Sequence, residues 1–478
     1  MSSKLPTQIA ALTTAGLSSL LLSPTSPAYA ERESSYWAAN ARLHPSYIIQ
    51  PRTTAEVSRT IKALASADGN FAIRSGGHSQ WAGGSNIHDG IVIDLGLMTR
   101  VTYDPETTLA SIESGPRWGA VYNALDKHGV CVAGGRVADV GVGGFLTGGG
   151  NSHYTGRMGM GCDSVVNFKV VLASGEVVNA NRGENADLWR ALKGGSGNFG
   201  IVTRFDMQTI PATKVWGGVI VAPRSSGDEI VEALVRFTNE SEKRPEDAMI
   251  VGFTFNGAMF TDVVVLSVLV DTKGVPDAAA FEEVQKAPAL VKDLKIRSVE
   301  ESANLYALLV DKRVVTTTLT FRNDATIIHK VVELHDNLVD ELKSLMPAEA
   351  FTTQCLLQPL PAYFAQRSVE QGGNVLGLDS VQGNSLLWLG QVTVDTDEQQ
   401  IVAEPKILAW ANAIEKFAVE RGGDIQWRYL NYSDASGRPL ASYGAANVKF
   451  MNEVAAKYDP EGVFQRKVPG GFKLSRAH

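Results

Sequence analysis

A turn-forming run, Arg74-Ser75-Gly76-Gly77-His78-Ser79, follows the short apolar stretch Phe71-Ala72-Ile73. Two adjacent glycines at the end of a strand permit a sharp turn and leave main-chain N–H groups open to a large anion, with no side chain in the way. A histidine directly after such a nest is not needed to hold a phosphate. It suits a ligand whose phosphates and ring system both lie against the loop. A second glycine-dense stretch follows, Gly134-Gly135-Arg136-Val137-Ala138-Asp139-Val140-Gly141-Val142-Gly143-Gly144-Phe145-Leu146-Thr147-Gly148-Gly149-Gly150. A fold for this chain must bring both loops to a common ligand.

Composition removes several classes. A length of 478 residues is enough for two or three cored domains. A net charge of −7 without a Lys/Arg-rich block argues against a broad nucleic-acid footprint. No stretch is long and apolar enough to span a bilayer. The three cysteines, Cys131, Cys162 and Cys355, form no Cys-x-x-Cys, and the eight histidines show no ligand-like pairing, so no metal site is expected. Lys4, the run 9–22 and Ala28-Tyr29-Ala30 fit a secretory signal with its cleavage site; they also fit an amphipathic opening segment of the mature fold. The second reading is preferred here and goes with an intracellular protein, secretion being the alternative.

Periodicity divides the chain after an N-terminal segment, 1–45. Thr53-Thr54-Ala55-Glu56 is a capping box, with Val57, Ile61 and Leu64 following at helical spacing. Strands are expected at 71–73, 91–95, 109–113 and 201–207, helices at 118–128 and 185–193, and a hairpin around Ser174-Gly175. These make a first domain over 46–211. Over 212–425 strands at 249–255, 263–270, 314–321 and 386–394 alternate with helices at 327–345 and 403–421. The expectation is an α+β unit, a mostly antiparallel sheet covered by helices. A final segment, 426–478, carries Tyr429-Leu430-Asn431-Tyr432 and a helix at 448–458.

The two glycine loops, with Cys162-Asp163-Ser164-Val165-Val166, Asp187-Leu188-Trp189-Arg190-Ala191-Leu192-Lys193-Gly194-Gly195, Asn198-Phe199-Gly200-Ile201-Val202-Thr203 and Lys457-Tyr458-Asp459-Pro460, occur in an informative order. In that order the chain resembles the vanillyl-alcohol oxidase superfamily, with its PCMH-type FAD-binding domain. Within it, the chain is similar to the berberine-bridge-like and 6-hydroxynicotine-oxidase-like fungal FAD-linked oxidoreductases. The resemblance spans nearly the whole chain and implies a C-terminal berberine-bridge-like segment that returns to the flavin domain.

It also implies roles. His78 would bond covalently to the 8α-methyl carbon of FAD. Relatives with a second covalent bond carry a cysteine where this chain has Val137, so a single link is expected. Arg74, Ser75, Gly76, Gly77 and Ser79 would form the rest of the first nest. Gly141, Gly143, Gly144, Gly148 and Gly149 would let backbone approach the pyrophosphate and flavin edge. Ile201, Val202 and Asn447 would also contact the cofactor, and Val140 would admit dioxygen to it. Phe145 replaces a histidine common in relatives. Tyr429 and Asn431 match a Tyr-x-Asn element that removes a substrate proton, although a phenol titrating near pH 10 needs a nearby cation or polarised flavin to act as a base. Tyr432, Trp388 and Tyr306 are candidates for the substrate side, and His153 is a candidate pocket residue or, as the first expectation, a surface one.

The implied reaction is that of an oxidase on a small molecule. Hydride leaves a C–H bond of an alcohol, amine or secondary metabolite, and dioxygen is reduced to hydrogen peroxide. An oxidative cyclase and an inert flavin-bearing binding protein are the alternatives, and oligomeric state is left open.

Overall fold

The computed structural model describes residues 4–211, 214–305 and 309–477. Tyr306 lies outside the described residues. The chain before residue 210 builds two sheets. In the first, Tyr47–Ile49 and Phe71–Arg74 flank Ile91–Asp94 in parallel, with Leu21–Leu22 added antiparallel at one edge. Buried parallel strands are apolar throughout, and Ile91, Val92 and Ile93 are all fully buried. The helix Thr54–Ser66 covers this sheet; the Thr53 hydroxyl caps it at Glu56 N–H, and Val57, Ile61 and Leu64 form its buried stripe. The second sheet is antiparallel, in the order Val101–Asp104, Leu109–Glu113, Ile201–Gln208, Val165–Val171, Val177–Asn181.

The N-terminal segment packs into this part of the molecule. Leu12 and Leu17 are fully buried beside Ile49, Val57 and Ile61, and the Tyr29 hydroxyl donates to Pro45 O at 2.6 Å. Arg32 pairs with the buried Asp94 at 2.6 Å.

Between 215 and 425 an eight-stranded sheet runs antiparallel throughout. Its order is Val291–Arg297, Val215–Pro223, Val264–Asp271, Asp247–Asn256, Phe351–Leu360, Ser385–Val394, Arg313–Arg322, Asp424–Ile425. The helices Gly227–Glu240, Ala325–Leu345 and Asp397–Glu420 contribute to its core, where Trp388 and Trp410 meet edge to face at 4.6 Å. Four strands escape the sequence pattern, the two-residue Asp424–Ile425 and three longer ones. Val215–Pro223 carries Gly217 and Gly218 at φ +141° and +145°; a Cβ on Gly217 would lie 1.9 Å from Leu269 O. Phe351–Leu360 mixes Thr, Gln and Pro, and Val291–Arg297 is a lysine-bearing edge. The last helix begins at Asp397, not 403, because Thr396 and Gln399 form a capping box. Pro405 lies inside it, and Ile401, four residues back and losing its N–H donor, is 72% exposed.

The tail returns to the first domain. Trp427, Tyr429, Tyr443 and Met451 share a core with Trp118 and Phe168, and Val463 and Phe464 join the core of the parallel sheet.

One polar pair in the large sheet gives a pH-dependent stability. Asp247 and Asp271 are direct cross-strand partners, both buried. Asp271 accepts N–H groups of Lys273 and Val275 at 2.8 and 2.9 Å. Burial and the facing Asp271 push the Asp247 carboxyl up to about 8. Its folded pKa lies above its unfolded one, so its contribution is complete at low pH and is lost as pH rises toward 8. The slope is at most about 1.4 kcal/mol per pH unit. Urea unfolding at pH 5 to 8 should show Asp247→Asn losing less stability across this window than the unaltered chain.

Candidate functional site

The two glycine loops meet backbone to backbone. A Cβ on Gly76 would lie 2.4 Å from the Cα of Gly141, and one on Gly141 would lie 2.5 Å from the Cα of Gly76. Ser75 fixes the junction: its hydroxyl donates to Ser114 O at 2.5 Å and accepts the Gly143 N–H at 3.2 Å. Gly77 turns with φ +67°. Beyond this contact opens a cavity of about 440 Å³, bounded by both loops, the strand Ile201–Gln208, the large sheet and the tail. Gly144 and Gly197 face it with nothing within 4 Å of where a Cβ would stand.

His78 lies on the cavity wall. Trp37 stacks on its ring at 4.4 Å and donates its main-chain N–H to Gly77 O at 3.1 Å, so the N-terminal segment sets the orientation of the imidazole. Its Nε2 is shielded from water and has no hydrogen-bond partner among the described residues. Burial, reinforced by Arg117, pushes the His78 pKa down to about 4, so the ring is neutral at physiological pH.

The tail supplies the facing groups. The Tyr429 hydroxyl accepts Asn151 N–H at 2.7 Å and Asn431 Nδ2–H at 3.1 Å. Burial raises the Tyr429 pKa above the ordinary phenol range, and these two donors oppose that rise. Arg136 donates to the Tyr432 hydroxyl at 2.7 Å, which in turn donates to Gln358 Oε1 at 3.3 Å. Gln354 and Gln391 of the large sheet complete this side.

Ser75, Gly76, Gly77, His78, Ser79, Val140, Gly141, Gly143, Gly144, Ile201, Val202, Tyr429 and Asn431 all line the one cavity, with Tyr432 and Phe145. Four expected cofactor contacts do not. Arg74 is buried behind the loop, over the Tyr36 ring at 3.8 Å, with bonds to Arg32 O and the Ser35 hydroxyl. Gly148 and Gly149 are spacers; a Cβ on Gly148 would lie 1.9 Å from Asn431 Oδ1, so they let the tail close in. Asn447 bonds Tyr443 O and Arg190, away from the cavity.

Trp388 is also displaced, its indole donating to Cys355 Sγ at 3.3 Å inside the substrate-domain core. His153 is half-buried, facing a void of about 10 Å³ beside Tyr154 and Ser302. Sequence reading missed Trp37, Gln354, Gln391 and Lys473. Only Gly470-Gly471, a glycine pair preceding Lys473, was there to mark the tail's contribution.

A model of the FAD binding domain matches residues 45–181. The FAD-dependent monooxygenase sdcF of Emericella nidulans is 36% identical over 458 residues, covering 95% of this chain and 95% of that protein. The FAD-dependent monooxygenase drtC of Aspergillus calidoustus is 35% identical over 94% of this chain and 86% of its own length. The chain belongs to the VAO/PCMH flavoprotein family. The solved carbohydrate oxidase of Microdochium nivale shares the family fold at TM-score 0.78 and 22% identity, over 98% of this chain and 99% of that one. The berberine bridge enzyme of Eschscholzia californica does so at TM-score 0.76 and 19% identity, over 97% and 99%.

This family member is an FAD-linked oxidoreductase. The cavity fits the cofactor in two respects. Gly144 and Gly197 leave open a cradle that any Cβ would narrow, and the partnerless His78 Nε2 lies beside it.

Proposed function

We propose that the chain is an oxidase, removing hydride from a C–H bond of a small alcohol or secondary metabolite and returning the electrons to dioxygen as hydrogen peroxide. The reading rests on one juxtaposition. His78, with a neutral and partly partnerless ring, and Tyr429, with a hydroxyl that accepts two hydrogen bonds, line the same cavity. The His78 imidazole would carry the covalent link to the flavin, with the Gly76 and Gly141 loops against the rest of the cofactor. Neither Cys131, Cys162 nor Cys355 lines the cavity, which supports a single link. FAD, when bound, supplies the two-electron acceptor and the reaction with dioxygen.

The residues around it handle the proton. Tyr429 takes it from the substrate hydroxyl, while Asn151 N–H and the Asn431 amide hold the phenol oxygen in place. Val140 lies on the cavity wall, where a small apolar side chain leaves dioxygen a path. The names of the fungal relatives make oxygen insertion the second reading. Turnover under ¹⁸O₂ with a panel of alcohols and fungal metabolites separates the two. The oxidase reading expects one hydrogen peroxide per dioxygen consumed and no ¹⁸O in the product. Product labelled with ¹⁸O and formed without peroxide would replace it with the monooxygenase reading.

A further inference from the structure

Among the described residues the cavity wall carries two basic side chains, Arg136 and Lys473, and no aspartate or glutamate. They serve different sides. Lys473 arrives on the tail, where Gly470 packs on Gly83 and Asn198 bonds Phe472 O at 2.9 Å, within the flavin domain. Arg136 belongs to the substrate side, bonded to Tyr432, whose hydroxyl reaches Gln358 of the large sheet.

Among the described residues the Arg136 guanidinium makes no ion pair, and its single side-chain partner is a neutral phenol. A guanidinium has five donors in a planar fork matched to two oxygens of an anion. Arg136 is half-buried on this wall, so an anionic ligand closing over it would meet a guanidinium that no protein carboxylate already neutralises. The neighbouring polar groups, Gln354, Gln391 and Asn431, are neutral amides, so nothing on this wall offers a counter-charge to an ammonium group.

We propose that Arg136 is a substrate-recognition residue and that the physiological substrate is an acidic small molecule, presenting a carboxylate or an ionised enol or phenol oxygen to it. This rests on the oxidoreductase reading of the cavity and narrows its substrate class, setting aside protonated amines. Arg136 would orient the anion from the side of Tyr432, leaving the C–H bond to be oxidised on the side of Tyr429.

Isothermal titration of the purified holoenzyme with benzoate, benzamide and benzylamine tests it, since the three share a ring and differ in charge. Benzoate should bind at least about tenfold more tightly than benzamide, and benzylamine more weakly still. Arg136→Gln should cost benzoate at least about tenfold while leaving benzamide within about twofold. Arg136→Lys, which keeps the charge and loses the fork, should fall between. Benzamide or benzylamine binding as tightly as benzoate, no measurable benzoate binding, or benzoate affinity lost in Lys473→Gln and kept in Arg136→Gln would overturn the proposal. If Arg136→Gln does not fold, the benzoate-to-benzylamine ratio of the unaltered enzyme and Arg136→Lys decide. The heat of binding is independent of turnover, so failure of the oxidase reading shows separately, as absent peroxide.

Discussion

Tyr429→Phe should lower kcat/KM by about 10²- to 10⁴-fold, the range over which a positioned acid–base group contributes. The fold should survive, because the ring stays in place between Trp427 and Tyr432 and only the hydroxyl is lost. Removing it leaves the buried Asn151 N–H without its acceptor, while the Asn431 amide keeps Phe145 O at 3.1 Å; the stability cost is about 1–3 kcal/mol, which thermal unfolding would register. The pH profile distinguishes chemistry from packing. Burial holds the Tyr429 phenol above its ordinary range, so it is protonated at neutral pH. The rate of the unaltered enzyme should therefore climb with pH into the alkaline range, and the Tyr429→Phe rate should lose that climb. A variant with an unchanged profile would remove Tyr429 from the reaction.

Gly141→Ala should nearly abolish flavin content. A single methyl there would stand 2.5 Å from the Cα and 2.7 Å from the N of Gly76, and both neighbours are backbone. The loops must separate, at about 1–3 kcal/mol or more for an overpacked contact, and the His78 loop moves with them. Gly144→Ala is the matched control. Its Cβ meets nothing within 4 Å, so the unfolding temperature of the flavin-free chain should stay the same while the added methyl intrudes on the cavity. Flavin-to-protein absorbance ratios should fall in both variants, with destabilisation in Gly141→Ala alone. Full flavin loading in Gly144→Ala would mean that this open space is not the cofactor's.

The parts legible in sequence are those governed by short-range rules. The turn at Gly76-Gly77 follows from backbone freedom, the helix Thr54–Ser66 from its Thr53 cap and apolar spacing, and the cavity positions of His78, Val140 and Gly141 from the motifs that contain them. Misplaced residues are those whose roles depend on what packs against them. Gly148 reads as a phosphate-loop glycine, yet its missing side chain makes room for Asn431, which is 283 positions away (431 − 148). Arg74 stands inside the nest motif but faces away from it, because Tyr36 and Ser35 of the N-terminal segment meet its guanidinium. Trp37 stacks on His78 from 41 residues upstream (78 − 37), a contact that no local pattern encodes. The strand Val215–Pro223 was hidden for the converse reason: its glycines lower strand propensity locally and are required by the neighbouring strands.

Peptide mass spectrometry of the denatured protein tests the central claim, that His78 and the glycine loops form the seat of the flavin. The peptide containing His78 should carry the mass of FAD, and the same peptide from His78→Ala should carry none. An unmodified His78 peptide, with flavin released on denaturation, would contradict the covalent seat. A folded protein without flavin would contradict the assignment of the cavity itself.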